Sequence, residues 1–254
     1  YFCLLAVYTT IYAIYGEKEK YWFYTSILLC FAFFSKQVPA TYVIIGVSLL
    51  NIYFSLKKKK IISVVYYAAG ALLFLFCLIL FLLFLKISVK DFIIQIFLFP
   101  PSIGLSRFET YDLNIKNIFF NYKFIYLFFI PILFINIFKL INQKNYHKTK
   151  HFDFFLVLST FVFTIIFHQI YTQNQIYIFF LVPLLTGFLF YYKNLLNFKN
   201  KNLISYSIIL ICFFISIKYH LRFNVDRKFH ELNNVDISNS VKASIIDKKL
   251  SGLN

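Results

Sequence analysis

The residues best able to do chemistry in this chain stand where long apolar runs break. Lys36 and Gln37 interrupt the run FAFFSKQVPA at residues 31–40. The apolar stretch before Lys36 covers about 15 residues, or about 22 Å of helix, against a hydrocarbon core of about 30 Å. A lysine at such an end either snorkels to the interface or faces a cavity or partner, because burying its charge in hydrocarbon costs several kcal/mol. A second break, FHQIYTQNQ at 167–175, packs His168, Gln169, Tyr171, Gln173, Asn174 and Gln175 into one turn without a formal charge. Such donors and acceptors suit hydroxyl-rich or phosphate ligands, and equally an ordinary polar turn with an interfacial tyrosine. A third group is Arg107, Glu109 and Asp112 near Gly104. Arg107 has the planar fork that grips phosphate, although a charged surface loop explains the group as well.

Other combinations carry less. Lys57 to Lys60 form a charge run of the kind that sets membrane topology rather than an anionic-lipid site. His147 and His151 are four apart but lie among lysines, so no metal site is expected there. Cys3, Cys30, Cys77 and Cys212 stand at unrelated spacings inside apolar runs and form no CxxC pair. No phosphate-cradling glycine loop and no nucleophile elbow occurs, so no cofactor is implied and the catalytic residue is unknown.

The elements that must position these groups are membrane helices. The 254-residue chain is 60% hydrophobic, 22% aromatic and only 14% charged, where a soluble domain carries about a quarter charged residues. Its mean hydropathy is +0.72. The apolar residues come in long blocks, expected to span at 1–15, 21–35, 38–56, 61–85, 125–141, 154–170, 175–192 and 203–217. The fold class expected is therefore all-α, a polytopic transmembrane helix bundle of about eight spans with a short outer interfacial helix.

The net charge of +16 lies in clusters between these blocks, which argues for membrane orientation and against a nucleic-acid partner. Lys18, Lys20, Lys57 to Lys60, Lys139, Lys144, Lys148, Lys150, Lys193, Lys199 and Lys201 fall in alternate loops, expected to be cytoplasmic. Residues 1–218 then form a transmembrane core. Its 87–124 loop lies outside, with residues 91–99 as an interfacial helix ended by Pro100 and Pro101. Residues 219–254 read as the start of an extracytoplasmic segment. The chain opens in mid-helix, contains no Met and stops without a tail-like composition, so it is expected to be a fragment of a longer polypeptide.

Three features together resemble the membrane core of GT-C superfamily glycosyltransferases. They are the Lys36–Gln37 turn after an apolar helix, the outer loop at 97–107, and the His168 to Gln175 turn ahead of IYIFFLVP at 176–183. The similarity is greatest to the aminoarabinose-transferase and protein-mannosyltransferase-like group and covers most of residues 21–192. It implies transfer of a sugar from a polyprenyl-phosphate donor at the outer membrane face to a lipid, glycan or protein acceptor. It also implies a multi-pass chain in a bacterial inner (plasma) membrane, in contact with membrane lipids and needing no cofactor or metal. Ser35-Lys36-Gln37 matches the family's lysine motif for the lipid phosphate. Arg107 would assist Lys36 and Gln37, while His168, Tyr171, Gln173 and Gln175 would line the sugar or acceptor cavity. The family's catalytic carboxylate lies in a first outer loop, expected upstream of Tyr1, and neither Asp91 nor Asp112 matches it. The rival readings are a non-enzymatic transporter or lipid flippase and an O-antigen ligase or polymerase. The first lacks the internal repeat such proteins show, and the second lacks a His-bearing outer loop.

Overall fold

A computed structural model describes residues 1–99, 114–172, 178–196 and 200–226. Among these the chain is all-helical, without a strand. The long helices are α1 (Phe2–Tyr15), α2 (Tyr21–Ser35), α3 (Gln37–Lys58) and α4 (Ile62–Phe84). A short α5 (Val89–Ile93) runs into a π turn, Ile94–Leu98. Then come α6 (Lys123–Asn142), α7 (Lys150–Thr172), α8 (Ile178–Lys193) and α9 (Lys201–Asp226). Five segments among the described residues are long and apolar enough to cross a membrane: Gln37–Lys58, Ile62–Phe84, Lys123–Asn142, Lys150–Ile170 and Asn202–Leu221. Phe2–Tyr15, Tyr21–Ser35 and Leu181–Lys193 are apolar but shorter. The chain is thus a multi-pass membrane protein in length and composition.

Two kinds of contact hold the helices together, and both are what a hydrocarbon solvent favours. Small residues let backbones approach. An added Cβ on Gly46 of α3 would lie 2.7 Å from Thr160 Cγ2 and 2.9 Å from Thr164 Cγ2 of α7. On Gly70 of α4 it would strike the Phe23 carbonyl and the Ser26 hydroxyl of α2. Polar side chains then bridge helices that cannot borrow water. Thr9 and Thr25 hydroxyls join α1 to α2 at 2.8 Å, Ser48 and Tyr67 join α3 to α4 at 2.9 Å, and Asn51 Nδ2 donates to the Ser63 carbonyl at 3.3 Å. The α3–α7 pair lies at the centre. Half of the apolar window of α3 and 61% of that of α7 is buried, against 11% for α4 and for α9. The last two turn Leu72, Phe76, Leu83, Leu210, Phe213 and Phe214 outward as a lipid-facing rim.

The helix ends that carry the lysine clusters meet at one end of the bundle. Lys57 Nζ reaches Asp153 Oδ1 at 2.5 Å and the His147 carbonyl at 3.1 Å, tying α3 to the start of α7. Lys150 contacts Glu17 at 3.3 Å and the Tyr15 carbonyl at 3.1 Å, while Lys60 contacts Glu19 at 3.5 Å. Lys150 also holds the exposed Glu17 carboxyl below the ordinary carboxylate range, by a hydrogen bond first and by charge second. His151 Nδ1 lies 2.5 Å from the Tyr191 hydroxyl, so this ring docks α7 on α8.

The main differences from the sequence reading are at helix ends. α7 starts at Lys150 rather than 154, and α9 runs to Asp226 rather than stopping at 217. Apolar content marks where hydrocarbon begins, whereas a helix continues into the aqueous layer for as long as its backbone bonds pay. Residues 227–254 lie outside the described residues. Residues 89–98 form a helix separate from α4, as the Pro-limited pattern implies, because Lys86 turns left-handed with φ 55°. There Lys86 N–H bonds to the Leu83 carbonyl and Ile87 N–H to the Leu82 carbonyl, the double bond of a Schellman stop.

A non-glycine residue in that conformation costs about 1–2 kcal/mol. Lys86→Gly should therefore raise the thermal midpoint in detergent. Gly70→Ala should lower it by the equivalent of about 1–3 kcal/mol, because the facing Phe23 backbone cannot step aside.

Candidate functional site

Of the residues singled out from sequence, Lys36, Gln37 and His168 lie at the end of the bundle opposite the lysine clusters. Lys36 is the only residue between α2 and α3. Its backbone is extended, at φ −159° and ψ 102°, and its side chain is exposed. The break has a local cause. Pro39 has no N–H to give, so it fits the first turn of a helix, whose N–H groups have no intrahelical partner in any case. Gln37 opens α3, and the preceding residue is left to turn the chain.

The 89–98 helix lies against this turn as a strap. Phe33 stacks on Phe97 with ring centroids 5.6 Å apart, and Phe34 stacks on Phe92 at 5.9 Å. Gln37 Nε2 donates a 2.7 Å hydrogen bond to the Ile96 carbonyl. The sequence explains why that carbonyl needs a donor. In an α-helix it would bond to the N–H of residue 100, and in a π turn to that of residue 101, and both are proline. Gln37 therefore caps the strap's C-terminus, and this amide nitrogen is engaged by the fold rather than open to a ligand.

α7 brings the second group. His168 is 3% exposed and its ring lies 6.0 Å from that of Tyr42, one turn into α3. Tyr42 also meets Phe167 edge-on at 5.3 Å. Next to His168, Gln169 is wholly buried, and its backbone carbonyl accepts a 2.6 Å bond from the hydroxyl of Tyr122, just before α6. Tyr42 thus brings His168 of α7 against the start of α3, the helix that Gln37 opens and Lys36 precedes.

Tyr171 lies in α7, with its side chain outside the described residues. Arg107, Gln173 and Gln175 lie outside them as well, as do Glu109 and Asp112. Sequence reasoning passed over Tyr42 and Tyr122, which carry no motif among the chain's 20 tyrosines. The Ile96 cap could have been anticipated from Pro100 and Pro101, though not the identity of its donor. Among the described residues no three His, Cys, Asp or Glu side chains converge as a metal would require. A shallow crevice lies at the lysine-rich end, between Ile11, Ile14, Tyr15, Lys150, Asp153, Phe154 and Val157. It is too narrow for water and remote from Lys36.

The arrangement can place one cation beside buried polar groups, at the edge of an aromatic strap. That suits an amphiphile with an anionic head: the ammonium meets the charge, the aromatic rings meet the apolar part, and the α7 side chains meet polar substituents.

No protein-family model matches the chain, and neither a curated protein nor a solved structure matches it.

If Gln37 caps the strap, Gln37→Leu should expose the Ile96 carbonyl and loosen residues 89–98 by about 1–3 kcal/mol. Hydrogen–deuterium exchange should then quicken in this segment and stay unchanged in α7. Unchanged exchange at 89–98 would show that the stacked phenylalanines hold the strap without the cap.

Proposed function

We propose that this chain is the membrane core of a glycosyltransferase that uses a polyprenyl-phosphate-linked sugar at the outer face of a bacterial inner membrane. About eight spans would cross it, with the lysine clusters cytoplasmic and the 89–98 strap lying on the outer leaflet. The observation that carries the reading is the placement of Lys36. An exposed ammonium stands at the break between two apolar helices, next to an aromatic strap that stacks on α2, while α3, which starts at the following residue, packs its Tyr42 against His168 of α7.

In a sugar transfer from a polyprenyl phosphate, the bond from the anomeric carbon to phosphate oxygen breaks and negative charge builds on the departing phosphate. A fixed cation in a low-dielectric place stabilises that charge more than water does, since it needs no reorganisation. Lys36 fills that role, with Arg107 of the outer loop as its expected helper. The acceptor hydroxyl must lose a proton to a general base. The partners are the polyprenyl donor, a lipid, glycan or protein acceptor, and the surrounding lipids.

Two measurements test this. In the full-length protein, Lys36→Ala should weaken donor binding or turnover about ten- to a hundredfold, the worth of one charge-assisted contact of about 1.5–3 kcal/mol. Lys36→Arg should recover only part, because a planar fork presents its donors differently. Wild-type transfer by the Ala variant at subsaturating donor would take Lys36 out of the site. For orientation, a cysteine placed at Thr172 should label in intact cells. Labelling only after permeabilisation would invert the topology and remove the outer-face assignment.

A further inference from the structure

Gln169 is the buried group whose chemistry the fold leaves unused. It ends the stripe Leu158, Val162, Ile165 and Gln169, the most deeply buried face of α7, and it is 0% exposed. Both amide atoms, Nε2 and Oε1, are buried without a hydrogen-bond partner. Within a membrane bundle no bulk water makes good that loss, so a leucine at this position would stabilise the fold more. The buried amide of Asn136, by contrast, is satisfied: it donates to the Ile132 carbonyl and accepts from the Tyr146 hydroxyl. Gln169 joins nothing through its side chain, although its own carbonyl is held by Tyr122. It also directly follows His168, whose ring packs against Tyr42 of α3.

We propose that the Gln169 amide recognises the hydroxyl groups of the sugar, apart from the phosphate that Lys36 engages. This rests on the glycosyltransferase reading. A primary amide offers two N–H donors and one carbonyl acceptor in a plane. Each sugar hydroxyl is both donor and acceptor, so adjacent hydroxyls satisfy the amide from both sides. A lipid phosphate without a sugar leaves the amide unpaired, and a site of this type rejects a ligand lacking the group it bonds. The same property makes Gln169 a residue whose loss improves the fold and harms selectivity.

The test uses the full-length protein in nanodiscs with two probes, a polyprenyl phosphate and the same lipid carrying a hexose or pentose on the phosphate. Wild type should prefer the sugar-bearing lipid. Gln169→Leu should reduce that preference about tenfold or more, leave affinity for the bare phosphate unchanged, and raise the thermal midpoint. Gln169→Glu, which keeps the acceptor, should retain part of the preference. If Gln169→Leu cannot be purified folded, Gln169→Met carries the same expectation, and absence of preference in wild type overturns the proposal without any variant. An unchanged preference in the folded apolar variant also overturns it, as for an amide satisfied by a structural water only. Failure of wild type to bind either lipid would instead sink the glycosyltransferase reading on which the inference stands.

Discussion

A bilayer offers no hydrogen-bond partner, and that constraint shapes nearly every local feature of this protein. Each backbone N–H and C=O must be bonded within a helix or capped by a side chain. The helix ends obey this. At Lys59 and Lys86 the chain turns left-handed so that the next amides can reach back to orphan carbonyls. Where Pro100 and Pro101 remove the N–H groups the strap would need, Gln37 supplies one from another helix. The interior obeys it too, since Thr9, Ser48, Asn51 and Asn136 each find a partner.

With hydrogen bonds answered internally, association of the helices depends on close approach. Gly46 admits the threonines of α7, and Gly70 admits the backbone of α2. These contacts have a functional consequence. α3 and α7 are pressed together along Gly46, Thr160 and Thr164, so the start of α3 and the end of α7 bring Tyr42 against His168. The Lys57–Asp153 pair fastens the same two helices at the other end. A long rigid pair fixed at both ends makes a firmer base for a site than loops would. Among the described residues Gln169 departs from this frame, because both atoms of its buried amide stay outside the internal hydrogen-bond networks.

Much of the architecture was legible in the residues. Apolar blocks bounded by lysine clusters fall on the helices to within a few residues. The separate 89–98 helix follows from a proline pair and a short apolar run. Of the site, Lys36, Gln37 and His168 could be picked out because polar groups between apolar runs are expensive and therefore conspicuous. Helix limits beyond the hydrocarbon were not legible, since the aqueous turns of α7 and α9 carry no apolar signature.

The sequence by itself determined that the chain lives in a membrane as helices, because burial of apolar surface and the demands of the backbone depend on residue type and run length alone. Only the tertiary structure decided what each polar residue does. It turned Gln37 from a ligand candidate into the cap of the strap, spent His151 on Tyr191, and left the Gln169 amide unpaired one residue from His168. The physical reason is that hydrogen bonding is short-ranged and directional. Whether a polar side chain is satisfied depends on atoms within about 3 Å, and those atoms come from helices far apart in the chain.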